Sequence, residues 1–99
     1  MENKTGNLEF LNDLEALIKE RKLNPVEGSY TNHLFDRGLT EIIRKVGEEA
    51  VEVMVSTLES RDRIVSESAD LIYHLLVLLA EKDIELAEVV KELEGRHRR

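Results

Sequence analysis

The sequence contains no cysteine and no tryptophan, one proline, five glycines, two tyrosines and two phenylalanines. Without cysteine there is no disulfide, no thiol nucleophile and no thiolate zinc site. So little proline, glycine and aromatic content points to helices rather than a β-sandwich. Long apolar runs are missing too. The longest, from about Leu71 to Ala80, is interrupted by His74 and falls far short of the ~20 residues that span a bilayer. The opening stretch MENKTGNLEF lacks the basic and apolar regions of a signal peptide. Positive charge is scarce, with 14 Lys and Arg against 21 Asp and Glu and a net charge of −7. A general nucleic-acid binder needs a basic face. The expectation is a soluble, cytoplasmic protein with no membrane or nucleic-acid partner. A phosphate-bearing ligand could approach only with a cation between.

What is present is charge and helical periodicity. A chain of 99 residues makes one domain, and one this small gains from self-association. Residues 1–7 read as a tail, 8–94 as the domain and 95–99 as a basic C-terminal tail. From Leu8 to about Leu23 the apolar residues Leu8, Leu11, Leu14, Leu17 and Ile18 keep helical spacing. Asn24-Pro25 ends that helix. A turn-rich segment follows, with one short helical turn from Asn32 to Asp36. Thr40 is the expected N-cap of a second helix running to about Leu58. The turn ESRDR leads to a third, from about Asp62 to Lys82. Asp83 is the expected cap of a fourth, from Ile84 to about Glu94. The fold class is therefore all-α: four helices, with the second and third as a central antiparallel hairpin.

Three glutamates crowd the second helix in the stretch KVGEEAVEV. Glu48, Glu49 and Glu52 lie within about 100° of arc, with Lys45 among them. An ordinary solvated face accounts for that stripe equally well. On the third helix Glu67, Asp70 and His74 form a stripe only about 60° wide. The rest of that helix is apolar nearly all round, which implies burial. Buried carboxylates need partners. A short turn sets Glu49 and Glu52 opposite Glu67 and Asp70. Two unit charges ~6 Å apart repel by roughly 3 kcal/mol at an effective dielectric near 20, so such a pocket needs cations. Hard oxygen ligands suit Mg²⁺, with Mn²⁺ able to substitute. A di-iron site wants Glu-x-x-His on two helices, and His74 has no twin. Gly47, beside the glutamates, reads as a place where another helix or a ligand comes close.

Glu-x-x-Glu followed by Glu-x-x-Asp on the next helix resembles the all-α nucleoside triphosphate pyrophosphohydrolases. The blocks GSYTNHLFDRGLTEIIRKVGEEAVEV and ESADLIYHLLVLLAEKDIEL are similar to the phosphoribosyl-ATP pyrophosphatase family. The resemblance covers residues 8 to 94. It implies Mg²⁺-dependent hydrolysis of a small phosphoribosyl-nucleotide substrate between its α and β phosphorus atoms, the second step of histidine biosynthesis. It also implies a homodimer that completes the helical bundle. The cyclohydrolase domain to which the family's enzymes are often fused uses cysteine-ligated zinc, so the expectation for a cysteine-free chain is the stand-alone form.

By position, the resemblance makes Glu49, Glu52, Glu67 and Asp70 metal ligands. Glu48, Glu49 and Glu52 are the candidate catalytic residues, with the role of Glu48 open between ligand and base. Lys45 and one or more of Arg37, Arg44 and Arg63 are candidates for phosphate contacts. Ser29, Tyr30, Thr31 and His74 are candidates for substrate binding. A structural histidine accounts equally well for His74, and Tyr73 reads as core or dimer interface. Two other functions fit the composition. One is a house-cleaning nucleotide pyrophosphohydrolase. The other is a non-catalytic acidic helical interaction protein.

Overall fold

A computed structural model describes residues 5–98. Of the tail expected over 1–7, residues 1–4 lie outside the described residues, as does Arg99 of the basic tail. Among the described residues the chain forms five α-helices and no strand. They are α1 (Phe10–Leu23), α2 (Tyr30–Arg37), α3 (Leu39–Ser56), α4 (Arg61–Glu81) and α5 (Leu86–His97). Four helices were expected. The additional one is α2, read from the sequence as a single turn and in fact eight residues long.

Local chemistry sets each boundary. α1 ends where the Asn24 N–H bonds the Glu20 carbonyl at 2.8 Å, just before Pro25. Ser29 caps α2, its hydroxyl accepting from the Asn32 N–H at 3.3 Å. The side chain of Asn32 then does a second task. Buried, it accepts from the Val26 N–H at 2.9 Å and donates to the Arg21 carbonyl at 2.6 Å, which fixes the loop between α1 and α2. Only Gly38, at φ 91°, separates α2 from α3. A left-handed backbone suits glycine there and lets the chain turn without a loop. Thr40 is consequently already inside α3 and is not its cap. Ser60 caps α4 by accepting from the Arg63 N–H at 3.2 Å.

The end of α4 corrects the role expected for Asp83. Its φ is 56°, its N–H bonds the Ala80 carbonyl and the Ile84 N–H bonds the Leu79 carbonyl. That pair of bonds is a Schellman motif with aspartate at the left-handed position. Asp83 therefore closes α4. Glu85 is the N-cap of α5, and its N–H bonds the Glu88 carboxylate at 2.8 Å.

α1 serves both neighbouring helix ends. Lys22 donates to the Ala80 and Glu81 carbonyls at the C-terminus of α4, at 2.9 and 3.3 Å. Glu15 accepts from the Leu86 N–H at the start of α5, at 2.6 Å. Each charge has the sign its helix dipole favours.

The core holds Ile18, Leu34, Ile42, Leu76, Val77 and Ala80, drawn from α1 to α4. Each large aliphatic chain buried there contributes roughly 1.5–3 kcal/mol. α3 and α4 pack most extensively and run antiparallel, since Glu49 meets Asp70 while Glu52 lies near Arg63. α5 contributes no buried residue. The expectation that α4 is buried nearly all round is not met within the single chain. Val65, Ile72 and Leu75 are 63%, 44% and 41% exposed.

Candidate active site

The site is built on the inner faces of α3 and α4. Helical spacing places Lys45, Glu49 and Glu52 along α3, and Arg63, Glu67, Asp70 and His74 along α4. Carboxylate oxygens of Glu49, Glu67 and Asp70 all lie within 4.8 Å of one another. Glu49 and Glu67 are buried, whereas Asp70, expected to be at least partly buried, is exposed at the rim. Glu52, half-buried one turn along α3, stands outside this close trio.

Three carboxylates so close repel by roughly 3 kcal/mol per pair at an effective dielectric near 20. Two cations answer that repulsion. Lys45 Nζ lies 3.3 Å from Glu49, and Arg63 Nη1 lies 3.0 Å from Glu67. These two contacts offset part of the repulsion, that of Lys45 the more effectively because Arg63 is the more exposed partner. The three oxygen ligands suit a hard divalent cation such as Mg²⁺ or Mn²⁺. A nitrogen ligand is not on offer from His74. Its Nδ1 donates to the Asp70 carbonyl at 2.7 Å, and in the neutral ring its Nε2 accepts from the Tyr30 hydroxyl at 3.0 Å.

Glu48 is not part of the trio. It pairs with Lys45 at 2.8 Å and with Arg44 at 2.7 Å. Those two cations, Lys45 first, hold its carboxyl below the usual range. Glu48 in turn raises Lys45 above the usual lysine value, as Glu59 does for Arg63. Arg44 also pairs with Glu41 at 2.7 Å.

α2 lies over one end of the site. Tyr30 packs edge-on to His74 and against Tyr73, with ring centroids 5.8 and 6.2 Å away. Burial raises its hydroxyl pKa. Glu49 and Glu41 add to that rise and Lys45 opposes it. Thr31 hydrogen-bonds the Tyr73 hydroxyl. The hydroxyls of Ser29 and Thr31, candidates for substrate, are thus already engaged within the protein. A cleft of about 740 Å³ opens beside Tyr30, lined by loop 25–29 with Tyr30, Asn32, His33 and Asp36.

The sequence reading overlooked Asn32, because its partners are backbone groups in another segment. Tyr73 packs against the core, as expected, and its hydroxyl also joins α4 to α2 through Thr31. Among the described residues, no other helix of the same chain comes close to Gly47. It is exposed, and a Cβ added there would meet no atom within 4 Å.

The family model described as phosphoribosyl-ATP pyrophosphohydrolase matches residues 11–97. The chain is 56% identical over 87 residues to the phosphoribosyl-ATP pyrophosphatase of Listeria welshimeri serovar 6b, covering 88% of this chain and 84% of that protein. It is 52% identical over 99 residues to the histidine biosynthesis bifunctional protein HisIE of Caldanaerobacter subterraneus subsp. tengcongensis, covering 99% of this chain and 48% of that one. For the HisIE protein of Pyrococcus furiosus the figures are 54% over 92 residues, 93% and 43%. The chain spans about half the length of these bifunctional relatives and most of the length of the Listeria protein.

Proposed function

The chain belongs to the phosphoribosyl-ATP pyrophosphohydrolase family, and on that premise we propose that it hydrolyses 1-(5-phosphoribosyl)-ATP to 1-(5-phosphoribosyl)-AMP and pyrophosphate with the help of Mg²⁺. The observation that carries this reading is the trio Glu49, Glu67 and Asp70, converging from two antiparallel helices. Glu52 stands nearest to them along α3, outside the close trio. A bound Mg²⁺ would neutralise the crowded carboxylates, favour the polyphosphate and lower the pKa of the attacking water, so that a carboxylate could take its proton.

The remaining tasks belong to side chains of this protein. Lys45 and Arg63, at the rim of the trio, are placed to meet phosphate oxygens and offset the charge that develops on the pyrophosphate leaving group. The attacking water needs a carboxylate to take its proton. Glu48 is the weakest candidate, because its two cations depress its basicity. Glu52, in the second turn of the same face, is the better one. Tyr30, His74 and the cleft beside them would receive the nucleoside and phosphoribosyl parts of the substrate. A second copy of the chain would cover the apolar residues exposed on α4 and complete the bundle. A soluble nucleotide substrate carries a cytoplasmic location with it.

The test is pyrophosphate release from phosphoribosyl-ATP with Mg²⁺ and with chelator, beside ATP and the common dNTPs. Metal-dependent release from phosphoribosyl-ATP alone is expected. Release from ordinary nucleotides instead would make this a house-cleaning pyrophosphohydrolase. No release from any of them would return the acidic face to a role in binding a basic partner.

A further inference from the structure

Lys45 and Arg63 share an arrangement that ordinary surface pairing does not explain. Each lies four residues before a buried carboxylate of the trio, Lys45 before Glu49 on α3 and Arg63 before Glu67 on α4. That order, cation first, is the less favourable one for helix stability. Each cation also holds a second, outer carboxylate. Lys45 reaches Glu48 at 2.8 Å, and Arg63 reaches Glu59 at 3.2 Å. The inner carboxylate side chains are each 10% exposed, and the outer ones are 42% and 45% exposed. Both cations therefore stand between a buried anion and a solvated one, at matching places on two antiparallel helices.

We infer that Lys45 and Arg63 are exchangeable counter-ions: they hold Glu49 and Glu67 while the site lacks a metal, and turn to substrate phosphate once it is filled. The inference rests on the metal reading of the trio. Buried carboxylates without a cation are costly, so the empty site needs these two side chains where they are. A divalent ion among the same oxygens repels them. Their outer partners, Glu48 and Glu59, then keep them at the rim, where an incoming polyphosphate offers new anions. Glu48 is thereby a positioning residue for Lys45. Loading and substrate capture become coupled, because the side chains that the metal displaces are the ones that grip the phosphates.

The experiment compares wild type with Lys45→Met and Arg63→Met, each first checked by thermal melting for a folded state. Mn²⁺ affinity is measured by electron paramagnetic resonance without substrate, and pyrophosphate affinity by calorimetry at saturating Mn²⁺. Each variant should bind Mn²⁺ about two- to fivefold tighter, the scale of one ion pair removed. Each should bind pyrophosphate about tenfold more weakly or worse, the scale of a lost charged hydrogen bond. Arg63→Lys, which keeps the charge, should restore most of both values. Unchanged or weaker Mn²⁺ binding in the methionine variants would overturn the exchange, and so would unchanged pyrophosphate binding. Failure of the wild type to bind Mn²⁺ would remove the metal reading itself, and it registers before any variant is compared. Should a methionine variant not fold, Lys45→Gln and Arg63→Gln carry the same expectations.

Discussion

The two sides of α4 meet their needs in opposite ways. Toward α3 it presents Glu67, Asp70 and His74, and Glu67 and His74 find partners within the chain at Arg63, Tyr30 and the Asp70 carbonyl. Away from α3 it presents Ile72, Leu75, Leu76 and Leu79 to a groove of about 270 Å³, closed on its other walls by Leu11, Leu86 and Val89. Every residue lining that groove is apolar, and Ile72 and Leu75 remain half exposed. The polar side meets its needs with single local partners. The apolar side is incomplete in itself, and no hydrogen bond can remedy that. Polar groups are satisfied one at a time by a local partner, whereas apolar area is satisfied only by more area.

Substitutions can separate the two sides. The largest effect is expected at Asp70→Ala, where pyrophosphate release should fall about 10³-fold or more, as when a charge-stabilising group is removed from an active site. Its thermal midpoint should hold or rise, because one negative charge leaves a crowded group. A fall of many degrees instead would make the acidic side structural. On the apolar side, Leu75→Glu should cost about 2–3 kcal/mol of stability and drive the protein toward monomer in sedimentation. Metal affinity should follow only to the extent that the fold does.

Lys22→Met lies outside both sides and provides a scale. It removes the donor to two helix-end carbonyls and should cost about 1–2 kcal/mol in denaturant unfolding. The smallest change is Gly47→Ala, which should add up to about 1 kcal/mol, since alanine suits a helix interior better than glycine and its methyl meets no neighbour. Lost activity in this variant would mean that substrate or a second chain approaches α3 at Gly47.

The convergence of Glu49, Glu67 and Asp70 was readable in advance because helical spacing leaves two hairpin-linked helices few relative registers. The same reasoning included Glu52, which falls outside the close trio by a turn of α3. Spacing names a face of a helix, and it does not say which residue on that face comes nearest. The depth of Asp70 was misread for a related reason, since a stripe at the edge of a buried face can open at its rim. The helix ends were less legible. Thr40 and Asp83 are residue types that favour N-caps, yet Gly38 makes the break before α3, and Asp83 takes the left-handed position that ends α4. Asn32 and Lys22 satisfy backbone groups of distant segments, and no local pattern announces such partners.

Lys22 has a further consequence, for the order in which the chain assembles. Its bond to the Ala80 carbonyl closes a loop of 58 residues in sequence separation. The α3–α4 hairpin needs only a four-residue connection and can form early. Docking α1 onto the end of α4 then comes late, so the Lys22 contact belongs to the native state more than to the barrier before it. Strengthening that junction should leave the folding rate nearly unchanged and lengthen the lifetime of the folded chain. It is the place to engineer persistence without touching the carboxylates.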